Sequence, residues 1–405
     1  MKKQVFEGLK AIGFVQAGVG PFTLRVLGNH GATVVRVEST KHIDNLRVSA
    51  PYRDNKPGIN RSGYFNFPNS DKYSLALDLT NPRSAGVAKR LIAWADILVE
   101  NFSPGVMAKW GLSYDDIKKI NPAMIMISMS QQGQTGPHRL MSGYGGLLQG
   151  LAGIVHLTGW PDRTPCLVDR SYPDNIAPRY GAIGLIAALD YRRRTGKGQY
   201  IDLSQYEDCI TFLAPTILDY KVNHRVQGRV GNKDPYAVPH GVYRCKGDDC
   251  WCAIAVFTDS EWEAFCKVIG NPEWTEDPQF TTFLARKRNE DKLNELIEKW
   301  TIHRPAEEVM AMMQQAGVRA GAVQTVADVL ERDPQLKHRQ YFWKLKHPEM
   351  DETIYTRPNY ILSKTPAQLR MPAPCLGEHT EYVCREFLGM SENEYDELLI
   401  DDVFA

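Results

Sequence analysis

Through the first half of the chain, apolar runs of strand length alternate with segments of helical period. Residues 14–38, FVQAGVGPFTLRVLGNHGATVVRVE, pass from an apolar strand through a glycine turn and a helix into a second strand ending at Glu38. Pro21 suits the first turn of that helix, where a missing N–H costs nothing. YSLALDL, DILVEN and AMIMIS read as further strands. Between them, TNPRSAGVAKRLIAWA predicts a helix with Asn81 as N-cap and Pro82 at its first position, and SYDDIKKI one capped by Ser113. NIAPRYGAIGLIAALDY predicts a long helix closed by the basic turn RRRTGKG, and QYIDLSQYED a strand followed by a loop. This alternation predicts stacked βαβ units, hence an α/β fold with a parallel sheet.

The pattern changes after about residue 225. HGVYRCKGDDCWCAIAVFTDSEWEAFCKVIG predicts a hairpin followed by a helix. ARKRNEDKLNELIEKWTIHRPAEEVMAMMQQAG predicts two amphipathic helices, the second opened by Pro305. Residues 226–325 are therefore expected to form a smaller α+β domain, leaving 1–225 and 326–405 for the larger one. The tail offers polar strands and a final helix pair, with Ser391 and Glu394 in capping-box spacing.

Composition narrows the function. Lys plus Arg equals Asp plus Glu at 48 each, so bulk charge favours neither a nucleic-acid nor an anionic-membrane partner. No apolar run reaches the ~20 residues of a membrane helix, and no signal-peptide pattern opens the chain. Eight cysteines in 405 residues are not a disulfide framework, and a reducing cytoplasm is the expected location. Cys245, Cys250 and Cys252 lack C-x-x-C spacing and read as small hydrophobes in a sheet, not as a metal site.

The opening turn is tested first as a dinucleotide fingerprint, G-x-G-x-x-G with an acidic residue ~20 positions on. Gly18, Gly20 and Glu38 fit, but Thr23 replaces the third glycine and Pro21 follows the second. A nicotinamide or flavin enzyme is disfavoured. Read onward, the chain carries in order IDNLR, YFNFPNSDKYSLALDL, ADILVENFSPGVMAKWGL, GQTGP, RRRTGKGQYIDLSQYE and PCLGEHT. That succession resembles the family III CoA-transferases, including the carnitine and formyl-CoA enzymes, with the α-methylacyl-CoA racemases as cousins. The resemblance implies a Rossmann-like large domain built from both chain ends, a smaller domain, and an interlocked dimer, either a homodimer or a heterodimer with a homologous subunit. It also implies acyl-CoA and a carboxylic acid as substrates.

The family's nucleophile is an aspartate before the TGKGQ turn, at the head of an apolar helix. In SYPDNIAPRYGAIGLIAALDYRRRTGKGQ that register selects Asp174, with Asp169 as competitor. An unperturbed aspartate has a pKa of about 3.9, so roughly a thousandfold excess is ionised at pH 7 and no general base is needed. By the same register Gln16, Ala17 and Phe102 are expected to touch CoA, and Arg47, Lys109 and Arg139 to meet its phosphates.

Two departures carry information. The racemases' G-H-D segment appears as SGYGG, with Tyr144 in the His position and Gly145 in the Asp position. Tyrosine, titrating near 10, is a poor partner for proton exchange at an α-carbon, so transfer is favoured over racemisation. The family's usual SGFGQTGP appears as SQQGQTGP, placing Gln131 and Gln132 with Tyr144 around the acyl pocket. Succinyl-CoA as donor and an aromatic acid such as benzylsuccinate as acceptor are the family-level expectation. The alternatives are an acyl-CoA racemase on the same fold and a non-catalytic CoA-binding subunit of a hetero-oligomer.

Overall fold

A computed structural model of the protein describes residues 4–405. Six strands form one parallel sheet: β1 (Lys10–Phe14), β2 (Thr33–Glu38), β3 (Tyr73–Ala76), β4 (Ile97–Glu100), β5 (Ile125–Ser130) and β6 (Gln199–Ser204), ordered β3-β2-β1-β4-β5-β6. The sheet is covered on both faces, which is why β4 (ILVE) and β5 (IMISMS) are buried at every position. On one face α1 (Val19–Asn29) and the long helix α4 (Tyr172–Thr195) share a core with Val34, Ile97, Ile127 and Met129. On the other, α2 (Ser84–Trp94) packs with Ile12, Val35 and Leu98, joined by Val383, Cys384, Leu398 and Val403 from the C-terminal end.

The chain divides into two compact units. One gathers the chain as far as Val155, with Leu167–Gln227 and Lys337–Ala405; the other gathers His156–Cys166 and Gly228–Leu336. The second unit holds an antiparallel sheet of β7 (His240–Arg244), β8 (Trp251–Ala255) and β9 (Arg319–Ala322). Helices Asp259–Val268, Glu290–Thr301 and Ala306–Gln315 pack on it around Phe265, Phe280, Leu293, Ile297 and Val309. Cys245 and Cys252 lie buried in that core.

Several boundaries differ from the sequence pattern for identifiable reasons. Asn81 does not cap α2; its side chain accepts from Arg83 N at 3.0 Å, closing a turn that delays the helix to Ser84. The loop expected after β6 is a helix, α5 (Gln205–Thr211), whose cap Ser204 accepts from Glu207 N at 3.4 Å. That S-x-x-E spacing was present in SQYE, hidden behind the preceding strand. The two helices expected over 285–317 are three, because Asn289 interrupts the run between Phe283–Arg288 and Glu290–Thr301.

Candidate active site

The strand order reverses between β1 and β4, and the crevice at such a switch point is where open α/β sheets take their ligands. Here the two loops are tied together. Gln16 N donates to Asn101 Oδ1 at 2.9 Å, and Asn101 Nδ2 returns to Gln16 O at 2.8 Å. Ala17, at φ +54°, sits in the left-handed region and donates its N–H to the Asp44 carboxylate at 3.1 Å. Gly20 then enters α1 where a side chain would collide with Val15, 2.5 Å from the position of a Cβ.

Beyond this turn lies Asp174. It occupies the third position of α4, after cap Ser171, Tyr172 and Pro173, so it is inside the first turn and does not precede the helix. Its carboxyl group presses on Gly18: a Cβ there would lie 3.1 Å from Asp174 Cβ and 3.3 Å from Cγ. The close approach of α1 and α4 also relies on Gly181, whose Cβ would lie 2.9 Å from Met129 Cε and 3.4 Å from Thr23 Oγ1. Thr23 stands where the fingerprint wants glycine; the glycine is found on the opposite helix instead, at Gly181.

Asp174 and Asp169 are treated very differently. Asp169 accepts from Ser171 N at 3.2 Å and so serves its own turn. Tyr64 Oη holds Ser171 Oγ at 2.9 Å, steadying the same turn. Among the described residues nothing hydrogen-bonds the Asp174 carboxylate, and burial, with the nearby Asp169 charge, pushes its pKa up to about 6. The thousandfold excess of carboxylate expected from an unperturbed aspartate is thus corrected to roughly tenfold at pH 7. The gain is a more basic carboxylate.

Gly145, in the racemases' Asp position, is pinned against the turn before Asp174, where a Cβ would lie 2.9 Å from Arg170 O and 3.0 Å from Pro173 Cδ. Tyr144 caps the short helix α3 (Gly145–Leu151) and is 73% exposed. Gln131 donates through Nε2 to Gly143 O, so the SQQ departure reaches the segment that abuts the Asp174 turn. Gln132 makes only a 3.9 Å contact with Met141 Sδ.

A cavity lies along the C-terminal ends of β1, β2 and β4. It is a cleft of about 300 Å³ lined by Gln16, Glu38, His42, Asp78, Phe102 and Trp110, among others. Phe102 meets Trp110 edge-on at 5.3 Å, giving the cleft an aromatic wall. Lys109 is exposed on the short helix between Val106 and Trp110, both of which line the cleft. Lys41 holds Asp78 at 2.7 Å at its rim. Trp110, His42 and Lys41 were missed; Trp110 stood inside the quoted MAKWG motif, whereas His42 and Lys41 had no local signal.

Two of the residues expected to meet phosphates, Arg47 and Arg139, do not line this cleft. Arg47 is fully buried, and its guanidinium donates to Glu38 at 2.9 and 2.7 Å, to Ile59 O at 3.2 Å, to Asn60 at 3.0 Å and to Pro374 O at 3.1 Å. All five donors are committed, so it has none for a phosphate. Arg139 is exposed and does not line the cleft. Burial would raise Glu38, but the Arg36 and Arg47 charges hold it down at about 2. Bound to Arg47 and Ser74, it is not presented to a ribose as a dinucleotide enzyme requires.

The model of CoA-transferase family III matches residues 6–380. The chain belongs to CoA-transferase family III. It is 32% identical over 375 residues to the succinyl-CoA–D-citramalate CoA-transferase of Chloroflexus aurantiacus, covering 93% of this chain and 92% of that one. It is also 32% identical over 398 residues to the succinyl-CoA–L-malate CoA-transferase beta subunit of the same organism, covering 96% of each. Among solved structures, a CAIB/BAIF family protein from Brucella suis superposes with a TM-score of 0.87 at 30% identity, covering 95% of this chain and all of that one. This family III chain is therefore an enzyme that transfers CoA, with CoA thioesters as substrates. No helix among the described residues is long and apolar enough to cross a membrane.

Proposed function

We propose that this transferase moves CoA from succinyl-CoA to a short carboxylic acid through covalent intermediates on Asp174. The observation that carries the reading is the unbonded, desolvated Asp174 carboxylate held against Gly18. A half-buried carboxylate without a partner among the described residues costs stability, and such groups concentrate where reactivity is needed.

The steps balance without net proton transfer. The Asp174 carboxylate attacks the succinyl-CoA carbonyl, forming a mixed anhydride as CoA thiolate leaves. The thiolate attacks the aspartyl carbonyl, giving an aspartyl-CoA thioester and free succinate. The acceptor carboxylate attacks that thioester, regenerating an anhydride and thiolate. The thiolate then takes the acceptor acyl group, and Asp174 returns as carboxylate. The thioester's energy is kept throughout, provided water is excluded. Backbone N–H groups at the start of α1 are the proposed donors to the oxyanions, an interaction of about 3 kcal/mol per donor in acyl-transfer sites.

The nucleotide end of CoA is assigned to the cleft, with Phe102 and Trp110 against the adenine, Gln16 in its lining and Ala17 next to Gln16 in the chain. Lys109 and Lys41 are the proposed phosphate partners, Lys109 because it is exposed and, among the described residues, unpaired beside the lining residues. Assembly with a second related chain is supported by apolar side chains on α4 and on the helix Ala214–Asn223: Ile183, Leu218 and Val222 are 63, 62 and 72% exposed. Light scattering at twice the chain mass tests that assembly.

The direct test of the chemistry is to incubate the protein with succinyl-CoA, trap with hydroxylamine or borohydride, and map the modified residue by mass spectrometry. Label on Asp174 is expected. Label elsewhere, or α-proton exchange without label, would overturn it. The acceptor screen includes benzylsuccinate, the aromatic acid expected from the sequence.

A further inference from the structure

A buried carboxyl group that the proposed chemistry does not use lies beside the aromatic wall of the cleft. Glu100 closes β4 and is 3% exposed. Ile97 and Val99 point into one core and Leu98 into the other, so by alternation Glu100 takes the face of Leu98. Phe102 and Trp110 pack against that same core. The cross-strand neighbours of Glu100 are Phe14 on β1 and Ser128 on β5, with Asp202 one strand further on β6.

Glu38, at the matching end of β2, is held by Arg36 and Arg47. Among the described residues no cation pairs with Glu100. Ser128 hydrogen-bonds its carboxyl group, and Phe102 N donates to Oε2 at 2.8 Å. Burial, joined by the Asp202 charge, pushes the carboxyl up to about 7 against those two bonds. A buried carboxylate with only neutral partners costs stability, so what it holds matters.

It holds the turn that carries the cleft wall. Phe102 lines the cleft and meets Trp110, also in the lining, edge-on at 5.3 Å. Asn101, between Glu100 and Phe102, is tied to the lining residue Gln16 at 2.9 and 2.8 Å. Glu100 fixes the Phe102 backbone, Asn101 joins the turn to Gln16, and Phe102 supplies the ring. Glu100 does not itself line the cleft, so it acts through Phe102.

We propose that Glu100 is a positioning residue for the nucleotide half of CoA: its carboxylate fixes the Phe102 backbone, and with it the ring against which the adenine lies. This rests on the assignment of the nucleotide to the cleft. A carboxylate suits the task because it only accepts, and so receives the Phe102 N–H and the Ser128 hydroxyl together. Glutamine keeps the reach and one accepting oxygen, and its amide nitrogen can donate to Ser128 Oγ. Aspartate keeps the charge but is one methylene short of the Phe102 N–H.

Calorimetry on the full chain tests this with CoA, with its nucleotide end alone (3′-phospho-ADP) and with its other end alone (pantetheine). Glu100→Leu should weaken CoA and 3′-phospho-ADP by about tenfold each, the worth of one hydrogen bond to a charged group, and leave pantetheine within about threefold. Glu100→Gln should bind 3′-phospho-ADP within about threefold of the unaltered protein, and Glu100→Asp should bind it more weakly than Glu100→Gln. Undiminished 3′-phospho-ADP binding in Glu100→Leu would overturn the positioning role. So would an equal loss for pantetheine, which marks general damage. Should Glu100→Leu fail to fold, the other two variants decide, and equal affinity in them counts against the role. Phe102→Ala separates this inference from the assignment beneath it. If that variant weakens 3′-phospho-ADP while the Glu100 variants do not, only the role of Glu100 falls; if it leaves the affinity unchanged, the cleft assignment falls as well.

Discussion

The glycine turn after β1 stands between two carboxylates that are handled in opposite ways. On one side Glu38 is buried and answered: Arg47 takes both oxygens at 2.9 and 2.7 Å, Ser74 adds a bond at 2.9 Å, and Arg36 lies 3.4 Å away. Phe65 stacks under both guanidiniums, 3.5 Å from Arg47 and 4.7 Å from Arg36. On the other side Asp174 is desolvated and, among the described residues, bonded to nothing. Burial acts on both in the same direction, and the presence or absence of arginine decides the sign of the shift. The paired carboxylate is architecture. The unpaired one carries free energy that chemistry can use.

The comparison breaks most visibly if the unpaired carboxylate is removed. Asp174→Asn should lower turnover by roughly three orders of magnitude or more while CoA binding, followed by calorimetry, persists. Asp169→Asn should cost about tenfold or less, since its carboxylate serves a turn. Equal losses would remove the distinction between the two aspartates.

Next in size is the paired side. Arg47→Ala leaves Glu38 buried with its main partner gone and should cost roughly 3–5 kcal/mol in a urea denaturation series. A loss under about 1 kcal/mol would mean the pair is not structural. A smaller effect is expected at the contact itself. Gly18→Ala sets a methyl 3.1 Å from Asp174 Cβ, and should slow turnover about ten- to a hundredfold with little change in unfolding midpoint.

The finest test is the pH dependence of stability, where the two carboxylates oppose one another. Asp174 titrates in the folded protein at about 6, above its ordinary value of 3.8, so its protonated form favours folding. That contribution is complete below about pH 3.8 and is lost as pH rises through 6. Asp174→Asn should therefore stabilise the protein at pH 8 by on the order of 1–2 kcal/mol, and the gain should vanish near pH 4. Glu38, lowered from 4.5 to about 2, contributes stability above pH 4.5 that disappears as pH falls through 2. Activity should also decline as pH drops through about 6, with Asp174 protonation.

Much of this was legible in one dimension, because strand and helix periods are local. The run from Phe14 to Glu38, the strands DILVEN and AMIMIS, and the hairpin around Cys245 and Cys252 appear in the structure where their patterns placed them. Ser113 and Ser391 cap their helices as their spacing required, since a cap bonds only three residues ahead. Arg47, expected from its motif to meet a phosphate, has its donors engaged by Glu38, Ile59, Asn60 and Pro374, partners that a motif does not record. The same limit hid α5, whose Ser204 cap was absorbed into a strand.

Residue order alone determined the alternating α/β pattern, the place of the glycine turn and the family register that singles out Asp174. Only tertiary structure decided that Asp174 is unpaired among the described residues while Glu38 is fully paired, and that Gly181 replaces the glycine missing at Thr23. These depend on segments tens to hundreds of residues apart meeting in a low-dielectric interior. There, a charge or hydrogen bond is worth what its neighbours make it, and no local window contains those neighbours.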